Sequence, residues 1–275
     1  MSAYIHKQNL HTHTIYCDGK NTPEEIIQKA IELGFDTIGF SGHSHTELNL
    51  CWDMSLDNTK LYKKEIKSLK AKYADKINIL CGLEYEIFSN CDINEYDYFI
   101  GSSHIINVDG TYIEVDGEPC EISLAIKEHF GGNGLKYAKA YYENMANLHR
   151  YGNFDIVGHF DLIAKYCQTH NFFDVCSKDY QNIALEALTA LSEKFKVFEV
   201  NTGAVARGYR TTPYPARFIL EHMHKLGCIV ALTSDCHNKD FLNYYYSEAI
   251  EYIKSCNFKS IGIMKNNKIQ EISIL

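Results

Sequence analysis

The sequence has little positive charge and no long apolar run. Among its 275 residues, 27 are Lys or Arg and 35 are Asp or Glu, only four are arginines, and the formal net charge is −8. No basic stretch is dense enough to follow a nucleic-acid backbone, so we expect no nucleic-acid partner. No run reaches the roughly 18 apolar residues of a membrane-spanning helix, so we expect no membrane association. The N-terminal stretch MSAYIHKQNLHTH has no signal-peptide core, which predicts a cytoplasmic protein.

The sequence also lacks closely paired cysteines and linkers. Its ten cysteines are scattered, and no two are spaced as C-x-x-C. Without a secretory signal, this pattern predicts reduced thiols, most of them buried as small apolar side chains. Only four prolines occur, and no low-complexity stretch interrupts the chain. We therefore expect one domain over residues 1–275.

Strand-like and helix-like segments alternate along the chain. The sequence TPEE at 22–25 is typical of a helix start, with Thr at the N-cap, Pro at N1 and Glu at N3. The pair NN at 266–267 predicts the turn of a closing hairpin. Further helices are predicted near residues 58–73, 135–150, 178–195, 215–226 and 244–255. Strands separated by helices predict parallel pairing through βαβ units.

Imidazole and carboxylate side chains follow the strand-like apolar runs. His11 and His13 stand two apart after the first run, so both side chains face the same way. Asp235 and His237 have the same spacing after IVALTS, and single groups follow DTIGFSG, INILCG, YFIGSS and FDIVG. The complete series is His11, His13, Asp18, His43, Glu84, His104, His159, Asp235 and His237. A series of this kind predicts one polynuclear metal site.

Two folds accommodate seven strands that end in such residues. An open, doubly wound sheet gathers its ligands near one switch point of the strand order. A closed barrel instead gathers the C-terminal ends of all its strands at one mouth. Because nearly every strand contributes a ligand, we expect a (β/α) barrel.

Residues 105–134 interrupt the alternation of strands and helices. Asp109-Gly110, between alternating residues, predicts a hairpin, and Gly131-Gly132 supplies flexible backbone. An insertion at the C-terminal mouth of a barrel is suited to be a lid over the site. A surface hairpin without a function fits the sequence equally well.

Taken together, these motifs resemble those of the polymerase-and-histidinol-phosphatase (PHP) superfamily of metal-dependent phosphoesterases. The closest resemblance is to its monofunctional histidinol-phosphate phosphatases, and it covers essentially the whole chain. The motifs that carry it, in family order, are HTHTIYCDG, IGFSGHS, LCGLEYE, YFIGSSHII, DIVGHFDLI, EVNTGAVARGY and ALTSDCH. The resemblance implies a distorted (β/α)7 barrel with a trinuclear metal centre at the C-terminal ends of the strands.

The resemblance also implies how the ligands divide among three divalent ions. The first ion would be held by His11, His13, Glu84 and Asp235. The second would share Glu84 as a bridge and add His104 and His159, and the third would take Asp18, His43 and His237. Nitrogen and carboxylate ligands without thiolates suit zinc, manganese or iron. Many relatives carry an acid before the histidine equivalent to His43, whereas this chain has Gly42, with His45 nearby as a loop histidine.

Several residues are predicted to act in catalysis or in substrate binding. Arg207, in a glycine-containing loop after a strand, is suited to bidentate phosphate binding, and Lys165 would add charge over the phosphate or the leaving oxygen. Glu84 would act in catalysis as the bridge between two ions. Asp161 would serve as general acid or would support a neighbouring ligand. Glu86 or Asp116 is expected to receive the cationic groups of the leaving portion.

The leading hypothesis is an enzyme of histidine biosynthesis that hydrolyses L-histidinol phosphate, a small phosphate ester. In this hypothesis a metal-bridging hydroxide would attack phosphorus in line and release histidinol and phosphate. The first alternative is the same chemistry on another small phosphomonoester. A non-catalytic metal-binding module and a metal-dependent amidohydrolase are further alternatives, which the complete ligand set and Arg207 respectively disfavour. The sequence leaves the oligomeric state open.

Overall fold

The computed structural model describes residues 7–48 and 50–275. Strands and helices alternate over most of this length, and helix boundaries follow local capping signals. Thr22 caps the first helix and forms a capping box with Glu25, and Pro23 stands at its first position, as the sequence predicts. Ser55 and Ser177 cap two further helices through their hydroxyl groups.

The described strands are β1 (Gln8–Asn9), β2 (Thr37–Phe40), β3 (Asn78–Glu86), β4 (Tyr98–Ser102), β5 (Ile105–Val108), β6 (Thr111–Glu114), β7 (Ile156–Val157), β8 (Val197–Asn201), β9 (Ile229–Thr233), β10 (Ser260–Lys265) and β11 (Lys268–Ser273). The described α-helices are α1 (Pro23–Glu32), α2 (Leu56–Lys72), α3 (Pro119–His129), α4 (Gly134–Ala146), α5 (Lys178–Ser192), α6 (Gly203–Ala206), α7 (Arg217–Lys225) and α8 (Tyr246–Ser255). Among them, no helix has the length and hydrophobicity needed to cross a membrane.

Seven of the strands form one parallel sheet in the order β1-β2-β3-β4-β7-β8-β9. The two edges meet just beyond β1 and β9, where Thr12 pairs with Cys236 in a parallel bridge. The amide of His13 donates to the carbonyl of Cys236, and the amide of Cys236 donates to the carbonyl of His11. The sheet thus closes into a barrel at its C-terminal rim, and the predicted (β/α)7 barrel is confirmed.

The core has two parts. The larger part contains the apolar faces of the helices and the strand residues that point toward them. A second, smaller cluster takes residues from most strands of the sheet, among them Leu10, Tyr98, Ile100 and Ala231. Met264 of β10 belongs to this cluster, and its backbone bonds the side-chain amide of Gln8 in both directions. The closing hairpin therefore packs against the start of the barrel, opposite the rim that carries the ligands.

Both predicted hairpins are present. Residues Asn266 and Asn267 have φ of 52° and 55° between β10 and β11, and Asp109 and Gly110 have φ of 51° and 88° between β5 and β6. These left-handed conformations belong to two-residue hairpin turns. The insertion holds more than its predicted hairpin, because α3 fills much of the rest. The sequence signal for α3 is Pro119 at its first turn with a capping box between Glu118 and Glu121.

Candidate metal centre

The predicted ligands come together at the C-terminal rim of the barrel. They follow or end six of the seven parallel strands, so the parallel arrangement alone directs them toward one place. The described residues form four overlapping groups whose ligand atoms lie within 4.8 Å of one another. Together the groups contain all nine predicted ligands: His11, His13, Asp18, His43, Glu84, His104, His159, Asp235 and His237.

Glu84, near the end of β3, lies at the centre of the cluster and is 1% exposed. Its Oε2 atom lies 3.2 Å from Nε2 of His11 and 2.9 Å from Nδ1 of His43. Its Oε1 atom lies 2.9 Å from Nε2 of His159 and 3.4 Å from Nε2 of His104. One carboxylate therefore faces two separate sets of imidazoles, which is the arrangement that a bridging ligand requires.

Asp18 and His237 form the outer part of the cluster. Oδ2 of Asp18 lies 2.9 Å from Nε2 of His237, and Oδ1 lies 3.3 Å from Nδ1 of His13. The turn that carries Asp18 depends on Gly19, because a Cβ atom there would lie 2.5 Å from the backbone of His13. His43 stands between the outer part and Glu84, since its Nε2 atom is 3.8 Å from Asp18. The observed groups share His11, His13 and His43 as well as Glu84, whereas the ligand sets implied by the resemblance share Glu84 alone.

Asp235 has a left-handed backbone, with φ of 46°, directly after β9. Such a conformation costs on the order of 1 kcal/mol outside glycine and persists only where its surroundings fix it. Here it directs Oδ1 to within 3.1 Å of Nε2 of His13 and 3.7 Å of Nε2 of His11. The backbone pairing of the next residue, Cys236, with Thr12 fixes this segment, and Arg207 donates to the carbonyl oxygen and to Oδ2 of Asp235.

Several atoms of the cluster are buried without a hydrogen bond. Among the described residues these include Nε2 of His11, Nε2 of His13, Nδ1 of His43 and Oε2 of Glu84. All four atoms converge on one point, with the three nitrogens 2.9–3.5 Å from the carboxylate oxygen. Buried polar atoms normally have partners. Converging imidazole and carboxylate lone pairs therefore fit divalent metal ions, and the donor set matches that of open zinc, manganese or iron sites.

The carboxylates of the cluster are ionised. Burial alone would raise the pKa of Glu84, but His11, His43 and His104 hold it well below its usual range. Burial likewise opposes ionisation of Asp235, and Arg207 lowers its pKa well below the usual range. Burial lowers the pKa of His104, whereas Glu84 and Glu86 raise it, with a net rise to about 9. The carboxylates are therefore ready to bind cations, and a divalent ion that binds here would displace the proton from His104.

Glu86 does not face the cleft as the sequence analysis expected. It is 1% exposed, and its Oε2 atom accepts from the amide of His104 and lies 3.0 Å from Nδ1 of that ring. Glu86 therefore orients His104, leaving Nε2 of the ring to face Glu84. The expectation that Glu86 receives a cationic leaving group is wrong, because its carboxylate is buried beneath a ligand.

A cleft of about 320 Å³ lies above the cluster. Arg207 reaches it with a side chain that is 30% exposed, while its Nη2 atom stays 3.0 Å from Asp235. Lys165 lines the cleft between the rings of Tyr166 and Tyr209 and donates to the carbonyl and carboxylate oxygens of Asp116. Both predicted phosphate-binding cations thus border the cleft, together with Lys20, which the sequence analysis did not single out.

Asp161 lies apart from the cleft. It is 0% exposed, and its Oδ2 atom accepts from Nη1 of Arg210 at 3.2 Å and from the amide of Ala216 at 3.0 Å. The guanidinium of Arg210 also lies over the ring of Tyr214, 4.3 Å from its centroid. The cleft lining does not include Asp161. The predicted role as general acid conflicts with this placement, because the carboxylate holds two neighbouring segments together instead of facing a substrate.

The structure accounts for the absence of an acid before His43. A Cβ atom on Gly42 would lie 3.0 Å from Sγ of Cys17, so the thiol occupies the space of a larger side chain. His45 does not replace that acid, since its Nδ1 atom bonds the carbonyl of Met54 at 3.0 Å. It belongs to none of the four ligand groups, in agreement with its interpretation as a loop histidine.

The insertion forms part of the wall of the cleft. Glu114 and Asp116 line the cleft together with Trp52 from the loop after β2. The indole Nε1 of Trp52 donates to Oε2 of Glu114 at 3.1 Å, and the amide of Val115 donates to the carbonyl of His104. Residues 105–134 are therefore attached to the rim, and whether they move as a lid remains a prediction.

The sequence analysis missed Glu199, which is fully buried beneath the cluster on β8. Its Oε1 atom lies 2.6 Å from Nδ1 of His11, and its Oε2 atom accepts from the amide of His159. The available signal was a single acidic residue inside the apolar run VFEVN. A charged residue in the middle of a buried strand needs a partner, and the nearest strands end in histidines.

Fold and site together define a metal-binding (β/α) barrel. The family model for the PHP domain matches residues 9–203, more than half of the chain. The chain therefore belongs to the PHP family.

Similar proteins cover nearly the whole chain. A probable histidinol-phosphatase of Schizosaccharomyces pombe is 28% identical over 262 residues, or 88% of this chain and 83% of the relative. The histidinol-phosphatase of Lactococcus lactis is 27% identical over 278 residues, or 96% of this chain and 97% of the relative.

Two solved structures have the same fold. A histidinol phosphate phosphatase from Lactococcus lactis, complexed with zinc, L-histidinol and phosphate, aligns with a TM-score of 0.70 and 26% identity over 96% of this chain and 98% of the other. A structure from Listeria monocytogenes aligns with a TM-score of 0.75 over 88% of this chain and 99% of the other. The two sequences are 21% identical, so this likeness shows only that the two proteins share a fold.

Proposed function

We propose that this protein hydrolyses L-histidinol phosphate to L-histidinol and phosphate, a reaction of histidine biosynthesis. The observation that carries the proposal is the similarity to the Lactococcus lactis enzyme, whose structure holds zinc, L-histidinol and phosphate. The similarity spans 96% of the chain at 26% identity. The rim of this barrel brings together the nine imidazole and carboxylate side chains that could hold metal ions. The histidinol-phosphatase of Lactococcus lactis and the probable histidinol-phosphatase of Schizosaccharomyces pombe are similar to this chain over comparable lengths.

The proposal includes a centre of three divalent ions. Overlap among the four ligand groups supports several ions, and Glu84 presents each of its oxygens to a different set of imidazoles. His11, His13 and Asp235 would hold one ion with Glu84. His104 and His159 would complete a second site, and Asp18, His43 and His237 a third. When bound, such ions lower the pKa of water to make a nucleophile and offset the charge of a phosphate ester.

The protein's own groups would bind and orient the phosphate. Arg207 and Lys165 both line the cleft. Both stay protonated at neutral pH, because burial lowers their pKa values but Asp235 raises that of Arg207 and Asp116 raises that of Lys165. The contact with Asp235 holds the guanidinium close to the ligands. A phosphate oxygen at the rim would therefore meet fixed positive charge.

Phosphate release from a panel of small phosphomonoesters tests the proposal, with the metal content measured on the same sample. We expect kcat/KM for L-histidinol phosphate to exceed that for glycerol phosphate or sugar phosphates by at least ~10²-fold, because matched polar groups discriminate on this scale. Comparable values across the panel would establish the alternative, a phosphatase for other small phosphomonoesters. Absence of phosphate release from a fully metal-loaded sample would point to a non-catalytic metal-binding module.

A further inference from the structure

The cleft above the metal centre has two different sides. Arg207 contacts Asp235 and lies 3.0 Å from Nδ1 of His237, and Lys165 contacts Asp116. Trp52 stands beside two other predicted ligands. Its ring centroid lies 4.7 Å from that of His43 and 5.4 Å from that of His104. The cations are suited to a phosphate group, so the aromatic side is open to the remainder of an ester.

Trp52 is held firmly in this position. The next residue, Asp53, accepts hydrogen bonds from the amide and the hydroxyl group of Thr46, at 2.8 and 2.9 Å. Met54 is fully buried, and its amide donates to the carbonyl of His43. The indole Nε1 adds the bond to Glu114. A pre-ordered aromatic ring beside a reaction centre loses little entropy on binding, which suits ligand recognition.

Glu114 is the cleft carboxylate that is left for a ligand. Asp116 is neutralised by Lys165, 3.3 Å from Oδ2, and Glu86 lies under His104. Asp18 and Asp235 belong to the metal cluster. Within the described part of the chain, Glu114 forms no ion pair, and its hydrogen bond from Trp52 occupies only Oε2. Its negative charge therefore stands at the aromatic side of the cleft without a cation.

We propose that Trp52 and Glu114 form the subsite for the leaving group and select phosphate esters whose leaving group carries a cation. The indole would contact a flat or cationic group, and Glu114 would pair with an ammonium or imidazolium. Aromatic and carboxylate groups together favour such ligands, because tryptophan attracts cations over its ring. The inference rests on the proposed function, since it assigns the leaving portion of that substrate to named residues.

Charge and shape can be tested separately with the metal-loaded protein. In Glu114→Gln the side chain can still accept the bond from Trp52, so the variant removes mainly the charge. Trp52→Ala removes the ring. We expect kcat/KM for L-histidinol phosphate, relative to glycerol phosphate, to fall by roughly fivefold in Glu114→Gln and by about tenfold in Trp52→Ala. Product inhibition by L-histidinol should weaken to the same extent, whereas inhibition by inorganic phosphate should not.

Glu128→Gln is the matched control, because Glu128 is an exposed carboxylate on α3 of the same insertion, outside the cleft lining. It should leave the selectivity ratio unchanged. Metal content is measured for every variant, because Trp52 also contacts two ligand rings. If Trp52→Ala loses metal, Glu114→Gln decides the question. A wild-type preference for L-histidinol phosphate that persists in Glu114→Gln would overturn the subsite and leave the proposed function intact. A wild-type protein without that preference would overturn both.

Discussion

Oε1 of Glu199 lies 2.6 Å from Nδ1 of His11, and both side chains are completely buried. The contact fixes the ring so that its Nε2 atom points at Glu84 and Asp235. The second oxygen of Glu199 accepts from the amide of His159, so the same carboxylate also positions the loop after β7. A carboxylate behind a histidine ligand sets the tautomer of the ring and increases its basicity.

Replacement of Glu199 by glutamine should weaken metal binding. The carboxylate accepts four hydrogen bonds, from His11, Thr233, His159 and Asn201. An amide has one accepting oxygen, and its NH2 group would oppose some of these donors. We expect Glu199→Gln to reduce zinc affinity about 10- to 100-fold, measured by titration of metal-free protein against a competing chelator. Glu186→Gln, on the exposed face of α5, should bind zinc as the wild type does. Unchanged affinity in Glu199→Gln would remove Glu199 from the support of the metal centre.

The barrel and its ligand rim could be predicted from the sequence because they rest on local signals. Capping residues mark the helix starts, and each of the nine ligands follows a short apolar run. Parallel strands then bring those positions together without further information. The hairpin turns at residues 109–110 and 266–267 were predictable for the same reason, since their conformation depends on two residues each. The extent of the single domain over residues 1–275 stays a prediction.

Glu84 should be needed for both metal content and activity. Its two oxygens face different imidazole sets, so its loss removes a ligand from two positions at once. We expect two or three ions per chain in wild-type protein purified from metal-supplemented medium, by elemental analysis. In Glu84→Gln, occupancy and phosphate release should fall together. A fully loaded wild-type sample with at most one ion would exclude the trinuclear centre.

Arg207 should act on the substrate and not on the metals. Its contacts with Asp235 involve the carbonyl oxygen and Oδ2, whereas Oδ1 faces the histidines. We expect Arg207→Ala to retain its ions and to lose about 10- to 100-fold in kcat/KM, the scale of a charge-assisted hydrogen bond. Steady-state kinetics and elemental analysis on one preparation check both statements. Arg150→Ala, an exposed arginine outside the cleft lining, should match the wild type. Loss of the metals in Arg207→Ala would contradict this assignment.

Roles that depend on side-chain direction were not predictable from sequence position. Glu86 and Asp161 each stand two residues from a predicted ligand, which suggested that they face the substrate. Glu86 instead binds the ring of His104 from behind, and Asp161 turns to Arg210, 49 residues further along the chain. Glu199 was not predicted to support the site, because its partner His11 is 188 residues away in the sequence. Such pairings are set by how the strands meet, and no local pattern records them.

Asp161 should be a positioning residue, and its replacement should reduce stability more than it alters chemistry. The Asp161–Arg210 pair is buried, with side chains 0% and 5% exposed. Removing one partner leaves the other charge uncompensated, which typically costs about 3–5 kcal/mol. We expect Asp161→Asn to lower the free energy of unfolding by that amount, measured by denaturant titration, while the exposed control Asp75→Asn does not.

The pH profile of kcat separates this role from that of a proton donor. Asp161 does not line the cleft, and its Oδ2 atom is committed to Arg210 and to the amide of Ala216. The folded fraction of Asp161→Asn should therefore show a pH profile of the same shape as the wild type. The double variant Asp161→Asn/Arg210→Met should lose less stability than the sum of the two single variants, because the second change removes the stranded charge. A general acid would behave in the opposite way, with one limb of the profile abolished and the unfolding free energy nearly unchanged.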